Sequence, residues 1–304
     1  METRVLPFTD ETIVEAARLI LTGDVVAVPT ETVYGLAADA TNAAAVARIY
    51  EAKGRPSFNP LIVHVPDLAA AQTLGDFSEE ALAFASEHWP GPLTLVVPLK
   101  SGAGVASLVT AGLPTIGLRV PAHPAMQALL RAAGRSLAAP SANASGSISP
   151  TRAEHVLKSL GGRIPLIIDG GATERGLEST IVAVTGGPVR LLRPGPIEIE
   201  AEEGAGATIE APGQLASHYA PSKPLRLNAR RAEDDEFLIG FGEIDGDANL
   251  SARGNLVEAA TRLFDLLHQA DASGKLRIAI APVPQDGLGR AINDRLQRAA
   301  AGSQ

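Results

Sequence analysis

Five short clusters of polar residues border the β-branched runs in the first two-thirds of the chain. Residues 29–36 read P-T-E-T-V-Y-G-L, 53–56 read K-G-R-P and 139–146 read A-P-S-A-N-A-S-G. Two more, E-S-T at 178–180 and L-R-P-G at 192–195, begin and end such runs. Ligand sites of α/β sheets lie at strand carboxyl ends, where hydroxyl, amide and cationic groups could bind a phosphorylated ligand. The clusters therefore predict a polar, partly cationic crevice.

Each cluster also has an ordinary structural explanation. Lys53 and Arg55 could simply complement the dipole of the helix they end, at a position where we expect water to be able to replace them. A Ser/Asn turn with a helix cap would account for residues 139–149, and a histidine inside an apolar run, such as His64, is more often a core residue than a ligand. The occurrence of all five clusters in one domain favours a shared site.

Several standard catalytic motifs are missing from the sequence. Neither a phosphate-binding P-loop nor a G-x-G-x-x-G after a strand occurs. The six histidines show no metal-ligand spacing, Ser141 is not part of a G-x-S-x-G elbow, and the chain has no cysteine. These absences disfavour zinc catalysis, the hydrolase nucleophile and thiolate chemistry, and we expect no metal ligands among the site residues.

The alternation of short β-branched runs with alanine-rich stretches predicts an α/β domain whose strand order the sequence does not fix. Asn42 is the predicted N-cap of its helix, and Thr151 with Glu154 has the spacing of a capping box. The predicted strands are 25–28, 61–65, 93–97, 115–120, 136–139, 166–168, 181–184 and 189–192, and the predicted helices are 43–51, 67–74, 78–88, 124–132 and 152–160.

The length of 304 residues, with 45% hydrophobic residues, suits two folded domains. No Lys or Arg occurs from Pro194 to Ser222, where glutamates stand among Gly and Pro, and this shift in composition marks a linker. The expected division is a first domain at 1–197, a linker at 198–222 and a second domain at 223–304. The second domain is a smaller α/β unit with predicted strands at 237–241 and 277–281 and predicted helices at 255–268 and 290–300.

The charge balance bears on partners and location. A net charge of −8 opposes non-specific attraction to nucleic acid. The N-terminus lacks the pattern of a signal peptide, and no apolar stretch is long enough to span a membrane. We expect a cytoplasmic protein that binds no membrane.

Taken in order, six motifs resemble those of the YrdC-like threonylcarbamoyl-AMP synthases. They are P-T-E-T-V-Y-G-L, K-G-R-P-x-x-N-P-L at 53–61, W-P-G-P-L-T at 89–94, A-P-S-A-N-x-S-G, S-T-I-V at 179–182 and L-R-P-G. H-Y-A-P in the linker and G-L-G-R-A-I-N-D-R-L at 287–296 look like the long, two-domain form of that family. The resemblance implies a twisted, open mixed sheet with flanking helices, followed by a smaller Rossmann-like α/β domain.

The resemblance also implies an activity. L-Threonine, bicarbonate and ATP would give L-threonylcarbamoyl-AMP and pyrophosphate, the first step of N6-threonylcarbamoyladenosine modification of tRNA beside the anticodon. It implies Mg²⁺ with ATP and no organic cofactor. Transient contact with the downstream tRNA threonylcarbamoyl transferase complex would follow, and direct tRNA binding would not be strong.

The site residues of the family carry over to the matching positions. Lys53 and Arg55 would serve catalysis as positive charges near the triphosphate, because the nucleophile of this transfer is the substrate's own carbamate oxygen. The residues implied to contact ATP are Arg55, Asn59, Thr115, Ser141, Asn143, Ser149, Arg193 and Tyr219. Those implied to contact L-threonine are Thr32, His64, Arg119, Ser179 and the backbone of Ala139. His218 and Tyr219 would close over the nucleotide as a lid, while the acidic part of the linker stays mobile.

Two other functions are open from the residues alone. A carbamoyl-adenylate module of the hydrogenase-maturation type normally belongs to a larger chain with zinc-finger and acylphosphatase parts, which this sequence lacks. A non-enzymatic RNA- or ribosome-binding factor could use the same cationic concavity. The acidic balance and an aromatic content of only 4% weigh against the latter, because single-stranded RNA binding relies on aromatic stacking.

Overall fold

The computed structural model describes residues 2–203, 210–214 and 217–302. Within them the chain forms two separate sheets, each with its own helices. The strands of the first sheet are β1 (Arg4–Pro7), β2 (Val26–Pro29), β3 (Tyr34–Asp39), β4 (Ile62–His64), β5 (Leu93–Pro98), β6 (Thr115–Arg119), β7 (Leu137–Ala138), β8 (Leu166–Asp169), β9 (Thr180–Ala183), β10 (Arg190–Arg193) and β11 (Glu202–Glu203). The helices beside it are α1 (Asp10–Leu21), α2 (Ala43–Lys53), α3 (Leu68–Leu74), α4 (Glu79–His88), α5 (Ser107–Thr110), α6 (Pro124–Ala133) and α7 (Ala153–Leu160).

The first sheet is mixed, in the order β1-β8-β2-β3-β7-β4-β6-β5-β9-β10-β11. β2 and β3 form an antiparallel hairpin in which Pro29 pairs with Tyr34, so residues 30–33 form its turn. β4 and β6 run parallel, and their register sets His64 beside Arg119. The hairpin turn and the ends of the two parallel strands therefore bring residues 30–33, His64 and Arg119 to the same edge of the sheet.

Helices cover both faces of this sheet. On one face, Ile49 of α2 packs with Leu36, Leu95 and Leu118 of the strands. On the other face, α1 and α6 pack against β2 in a separate apolar cluster that includes Ile20 and Met126. The layered α/β architecture expected from the sequence is confirmed.

The second sheet is parallel throughout, in the order β12-β15-β13-β14. Its elements are β12 (Leu225–Arg226), β13 (Glu236–Gly240), β14 (Ala248–Asn249), β15 (Arg277–Ile280), α8 (Leu256–Ala272) and α9 (Leu288–Gly302). Its apolar core extends into the first domain, because Val33, Ile148 and Leu177 belong to the same cluster as Phe264. The smaller α/β unit expected after the linker is thus present and packs directly against the first sheet's loops.

Helix ends follow the capping rules in part. Asn42 caps α2 as expected, since its side chain accepts hydrogen bonds from the backbone N–H groups of Ala44 and Ala45. The prediction of a capping box at Thr151 and Glu154 is wrong. The N-cap of α7 is Arg152, whose side chain makes no capping hydrogen bond. Thr151 instead turns inward, and its backbone N–H donates to Nδ1 of His155 at 3.3 Å.

None of the helices in the described ranges is long and apolar enough to cross a membrane.

Candidate active site

A small cleft of about 40 Å³ lies at the turn between β2 and β3, beside the ends of β4, β6 and β10. All five polar clusters reach it, through Thr30 and Thr32, Arg55, Ser141, Ser179 and Arg193 respectively. The linker supplies the remaining wall with Pro212, Gly213, His218 and Tyr219. This volume is far below the several hundred Å³ of a typical ligand site, so ATP would bind only after part of the cleft wall moves.

The residues expected from the sequence divide into two groups. Those that line the cleft are Thr32, Arg55, His64, Arg119, Ala139, Ser141, Ser179, Arg193 and Tyr219. Those that do not are Lys53, Asn59, Thr115, Asn143 and Ser149. Thr115 lines an adjoining pocket of about 10 Å³ that shares Ile62 and Pro212 with the cleft, and the other four are buried behind it.

Lys53 and Arg55 are buried rather than solvent-exposed, so the expectation that water could replace them is wrong. Gly54, with a φ of +59°, ends α2, and the loop at 139–146 folds over this helix end, where Ser145 N–H donates to the Lys53 carbonyl at 2.8 Å. The ammonium of Lys53 donates to the carbonyls of Ser141 and Asn143. Burial, and secondarily the nearby Arg55, lowers the pKa of Lys53. Lys53 therefore fixes the shape of the loop that borders the cleft.

Arg55 is held in a similar way by its own loop. Its Nε donates to the Asn59 carbonyl at 3.3 Å and its Nη2 to the Pro60 carbonyl at 2.9 Å. Burial lowers the pKa of Arg55 to about 10, so the side chain is still a cation at neutral pH. The guanidinium is thus oriented by backbone carbonyls with one edge left for an anionic ligand.

Arg119 is positioned by Glu31, a residue whose role the sequence did not reveal. Arg119 Nη2 donates to Glu31 Oε1 at 2.6 Å, and Arg119 Nε donates to the Gly91 carbonyl at 3.2 Å. Burial would raise the pKa of Glu31, but the Arg119 guanidinium holds it below its ordinary value. The only signal in the sequence was a carboxylate inside the first polar cluster.

His64 stands beside Arg119 as a neutral ring. Burial first, and then the charge of Arg119, lowers the pKa of His64 to about 3. Its Nδ1 has no hydrogen-bond partner among the described residues. The ring lines the cleft, and its Nδ1 is buried.

The hydroxyl groups of the cleft form ordered chains. Thr30 Oγ1 donates to the Val33 carbonyl at 2.7 Å and lies 2.8 Å from Thr32 Oγ1. Thr30 Oγ1 also accepts the backbone N–H groups of Thr32 and Val33, each at 3.2 Å, so the turn is fixed around this hydroxyl and Thr32 lines the cleft beside it. On the opposite wall, Arg193 donates to Ser179 Oγ and to the Ser179 carbonyl, each at 3.0 Å.

The end of the linker is pinned over the cleft. Tyr219 is buried and adopts a φ of +65°, a left-handed conformation that is uncommon for a bulky residue. Its ring packs edge-on against His218 with centroids 4.0 Å apart, and the next residue, Ala220, donates its N–H to the Gly146 carbonyl at 2.8 Å. The acidic part of the linker was expected to be mobile, and this prediction concerns in part residues 204–209, which lie outside the described residues.

No group of three or more His, Asp or Glu side chains in the described ranges could hold a metal ion. Glu178, which lines the cleft, is paired with Arg295, and Glu31 is paired with the cleft residue Arg119.

Comparison with known proteins agrees with this geometry. Residues 18–195 match a family model described as "Telomere recombination", and residues 177–301 match one described as "Threonylcarbamoyl-AMP synthase, C-terminal domain". The chain is 40% identical to a threonylcarbamoyl-AMP synthase of Bacillus subtilis over 98% of this chain and 95% of that protein. It is 40% identical to a threonylcarbamoyl-AMP synthase of Pyrococcus abyssi over 94% of this chain and 93% of that protein.

A solved structure matches the whole fold. The crystal structure of P. abyssi Sua5 complexed with L-threonine superimposes with a TM-score of 0.89 at 36% identity, covering 99% of this chain and 98% of the other. Matches to both family models, together with this likeness over nearly the full length, show that the chain belongs to the threonylcarbamoyl-AMP synthase family.

Proposed function

We propose that the chain joins L-threonine, bicarbonate and ATP into L-threonylcarbamoyl-AMP and releases pyrophosphate. The main support for this proposal is the convergence of three oriented arginines, Arg55, Arg119 and Arg193, on one cleft. One arginine suits the carboxylate of an amino acid and the other two suit phosphates, which is what an amino-acid-dependent adenylate synthesis requires. L-Threonine in the similar P. abyssi structure supports the assignment of the amino acid.

The Arg119 side of the cleft would hold L-threonine. Glu31 and the Gly91 carbonyl fix the guanidinium, whose remaining N–H groups would grip the substrate carboxylate. The lone pairs of Thr32 would accept a hydrogen bond from the substrate ammonium or β-hydroxyl. Ser179 and the backbone of Ala139 complete the wall on which the amino acid would rest.

The Arg55 and Arg193 side would hold ATP. The ammonium of L-threonine first gives up a proton, and the free amine condenses with bicarbonate to a carbamate with loss of one water. A carbamate oxygen then attacks the α-phosphorus, the bond from this phosphorus to the α–β bridging oxygen breaks, and pyrophosphate leaves with the electron pair. Cations that are already oriented stabilise the charge that builds up on the phosphates without reorganising. Lys53 would contribute by shaping the 139–146 loop that carries Ser141. Asn143 Nδ2 donates to the Ser147 carbonyl of the same stretch, and the Asn59 carbonyl orients Arg55.

We propose that Mg²⁺ binds together with ATP. Since Glu31 and Glu178 are committed to arginines, the ion would take its ligands chiefly from phosphate oxygens and water, as Mg²⁺ commonly does. A cytoplasmic location, use of bicarbonate and transfer of the product to a tRNA-modifying complex are also proposals, supported by the family.

The proposed division of the chain is a catalytic domain at 1–197, a linker at 198–222 and a second domain at 223–304. The linker would act as a lid, because its residues 212, 213, 218 and 219 line the cleft. Opening of this segment would admit substrates, and closure would exclude water from a mixed anhydride that hydrolyses readily.

Pyrophosphate release with single substrates omitted tests the proposal. We expect release only when ATP, L-threonine and bicarbonate are all present. Release that is independent of L-threonine would contradict it.

A further inference from the structure

Arg295, in the last helix, is buried against the candidate active site. Its side chain is completely shielded from solvent although it belongs to the second domain. Nε donates to Glu178 Oε2 at 2.8 Å, and Nη1 donates to Asp294 Oδ2 at 2.7 Å. None of the roles proposed above uses this residue.

Glu178 connects Arg295 to the nucleotide side of the cleft. While Oε2 accepts from Arg295, Oε1 accepts from the hydroxyl of Ser149. An ionised carboxylate can only accept, so the single proton of Ser149 is committed to Glu178, and the orientation of that hydroxyl follows the carboxylate. Glu178 itself lines the cleft.

Arg295 also supports the linker. Its guanidinium carbon lies 5.3 Å from the centre of the Tyr219 ring, within the range of a cation–π contact. Phe264 of α8 packs on the same ring with centroids 5.6 Å apart. The second domain thus touches Tyr219, which lines the cleft, and through Glu178 it touches Ser149, which lies buried behind the cleft and which we propose to contact ATP.

We infer that Arg295 is a positioning residue for the nucleotide site, and that it acts mainly by holding Glu178 ionised and aimed at Ser149. This inference rests on the proposed function. The second domain would then take part in nucleotide binding. Arg295 is the second arginine of the sequence G-L-G-R-A-I-N-D-R-L at 287–296, so this stretch would also have a role.

The charge state of Glu178 depends on its surroundings from both domains. Arg295 and Asp294 lie on α9, Arg193 on β10, and His218 and Tyr219 on the linker. Burial would raise the pKa of Glu178, but Arg295, followed by Arg193, keeps it below its ordinary value. Without Arg295, the effect of burial on the pKa of Glu178 would be less opposed, so the carboxylate would begin to take up a proton at a higher pH.

The test is a double-mutant cycle with Arg295→Met, Glu178→Gln and the double variant. We expect Arg295→Met to raise the KM for ATP about tenfold in the native background. In the Glu178→Gln background the same change should raise it by no more than about twofold, the part left for the Tyr219 contact. An equal factor in both backgrounds overturns the inference.

The pH dependence separates positioning from simple support of the fold. The acid limb of kcat/KM for ATP should move up by at least about one pH unit in Arg295→Met and stay at the native pH in Arg295→Lys, which keeps the charge. An acid limb that does not move in Arg295→Met overturns the inference. Arg290→Met, an exposed arginine on the same helix, is the matched control and should leave both KM and pH profile unchanged.

Two precautions keep the outcome decisive. If Arg295→Met does not fold, the double variant is compared with Glu178→Gln, since the double variant buries no unpaired carboxylate. A KM for ATP that is about tenfold higher in the double variant than in Glu178→Gln overturns the inference. A KM that is higher by no more than about twofold supports it. The wild-type protein is measured first. Lack of L-threonine-dependent pyrophosphate release there overturns the proposed function, whereas equal factors in an active protein overturn only the role of Arg295.

Discussion

Arg119 Nη2 lies 2.6 Å from Glu31 Oε1, and both side chains are almost completely buried. The other carboxylate oxygen, Oε2, accepts the backbone N–H of Ala122 at 3.1 Å, so Glu31 is fixed to the segment that follows β6. The turn after β2 and the end of β6 are thereby tied together through one ion pair. A guanidinium held in this way meets an incoming carboxylate in one orientation.

Glu31→Gln tests whether this orientation serves the amino acid. A neutral amide replaces a charge-assisted hydrogen bond worth about 1.5–3 kcal/mol, so we expect the KM for L-threonine to rise about tenfold or more with a smaller change in kcat. Steady-state kinetics with varied L-threonine measures this. Glu80→Gln, on the exposed side of α4, is the control, and an unchanged KM in Glu31→Gln would show that Arg119 does not need its partner.

Amino-acid selectivity tests the hydroxyl-reading wall. Valine would leave the Thr32 lone pairs or a Ser179 group unpaired in a closed site, whereas serine loses only a methyl contact worth roughly 1–3 kcal/mol. We therefore expect serine to be the better competing substrate, as measured by pyrophosphate release with each amino acid. Equal use of valine and serine would refute a pocket that recognises the β-hydroxyl.

Lys53→Met should reduce both stability and turnover. The buried Asn143 carbonyl loses the Lys53 donor, whereas the Ser141 carbonyl keeps the Asn143 N–H, so the free energy of unfolding should fall by about 1–3 kcal/mol. Turnover should fall by up to about 10²-fold, because the 139–146 loop that carries Ser141 loses the contacts that fix its shape. Urea unfolding and pyrophosphate release give the two values. Lys158→Met, a surface lysine on α7, should change stability by less than about 1 kcal/mol, and a similarly small loss in Lys53→Met would contradict the assigned contacts.

The interface between the two domains should make the protein sensitive to mild acid. His155 of α7 stacks on His268 of α8 with centroids 3.8 Å apart, and burial is the main cause that lowers the pKa of the first to about 3 and of the second to about 4. The unfolded chain binds protons near pH 6.5, so it takes up more protons than the folded protein as pH falls from 6.5 towards 4. Stability therefore decreases with falling pH across this window.

His268→Gln tests that sign. Glutamine can keep a donor for the Ser149 carbonyl, which lies 3.1 Å from His268 Nε2, but it does not titrate. Between pH 7 and pH 5 the wild type should lose about 1–2 kcal/mol more unfolding free energy than the variant, as measured by urea unfolding at both pH values. His88→Gln, at the end of α4, should behave like the wild type. Equal losses in the wild type and His268→Gln would mean that the stacked pair does not titrate as described.

Much of the fold followed from local patterns. The Asn42 cap, the α2 helix and the long amphipathic α8 helix all lie close to their expected places, because caps and 3.6-residue periodicity act within one element. Seven elements of the described ranges were not predicted, namely β1, α1, β3, α5, β11, β12 and β14, and two of them show why. β3 reads Y-G-L-A-A-D, whose glycine and alanines favour a strand poorly, and it forms because β2 and β7 supply its backbone partners. α1 was not recognised although Thr9 caps it.

The site was less predictable than the fold, for reasons of long-range packing. The order of the motifs predicted which loops form the site. The burial of Lys53, however, depends on a loop nearly ninety residues further along the chain. The partnership of Glu31 with Arg119 spans 88 residues, and that of Glu178 with Arg295 spans 117. Neither spacing leaves a periodic signal. The strand order of the first sheet, which places these groups together, is likewise set by distant pairings.

The chemical identity of the product is the most direct test of the central claim. The purified chain would be incubated with ATP, L-threonine and ¹³C-labelled bicarbonate, and the nucleotide fraction would be analysed by mass spectrometry. We expect an adenylate that carries both the threonine mass and one labelled carbon, formed in equal amount with pyrophosphate and strongly reduced in Arg119→Met. An adenylate without the labelled carbon, or pyrophosphate formed with no threonine-containing nucleotide, would contradict the account.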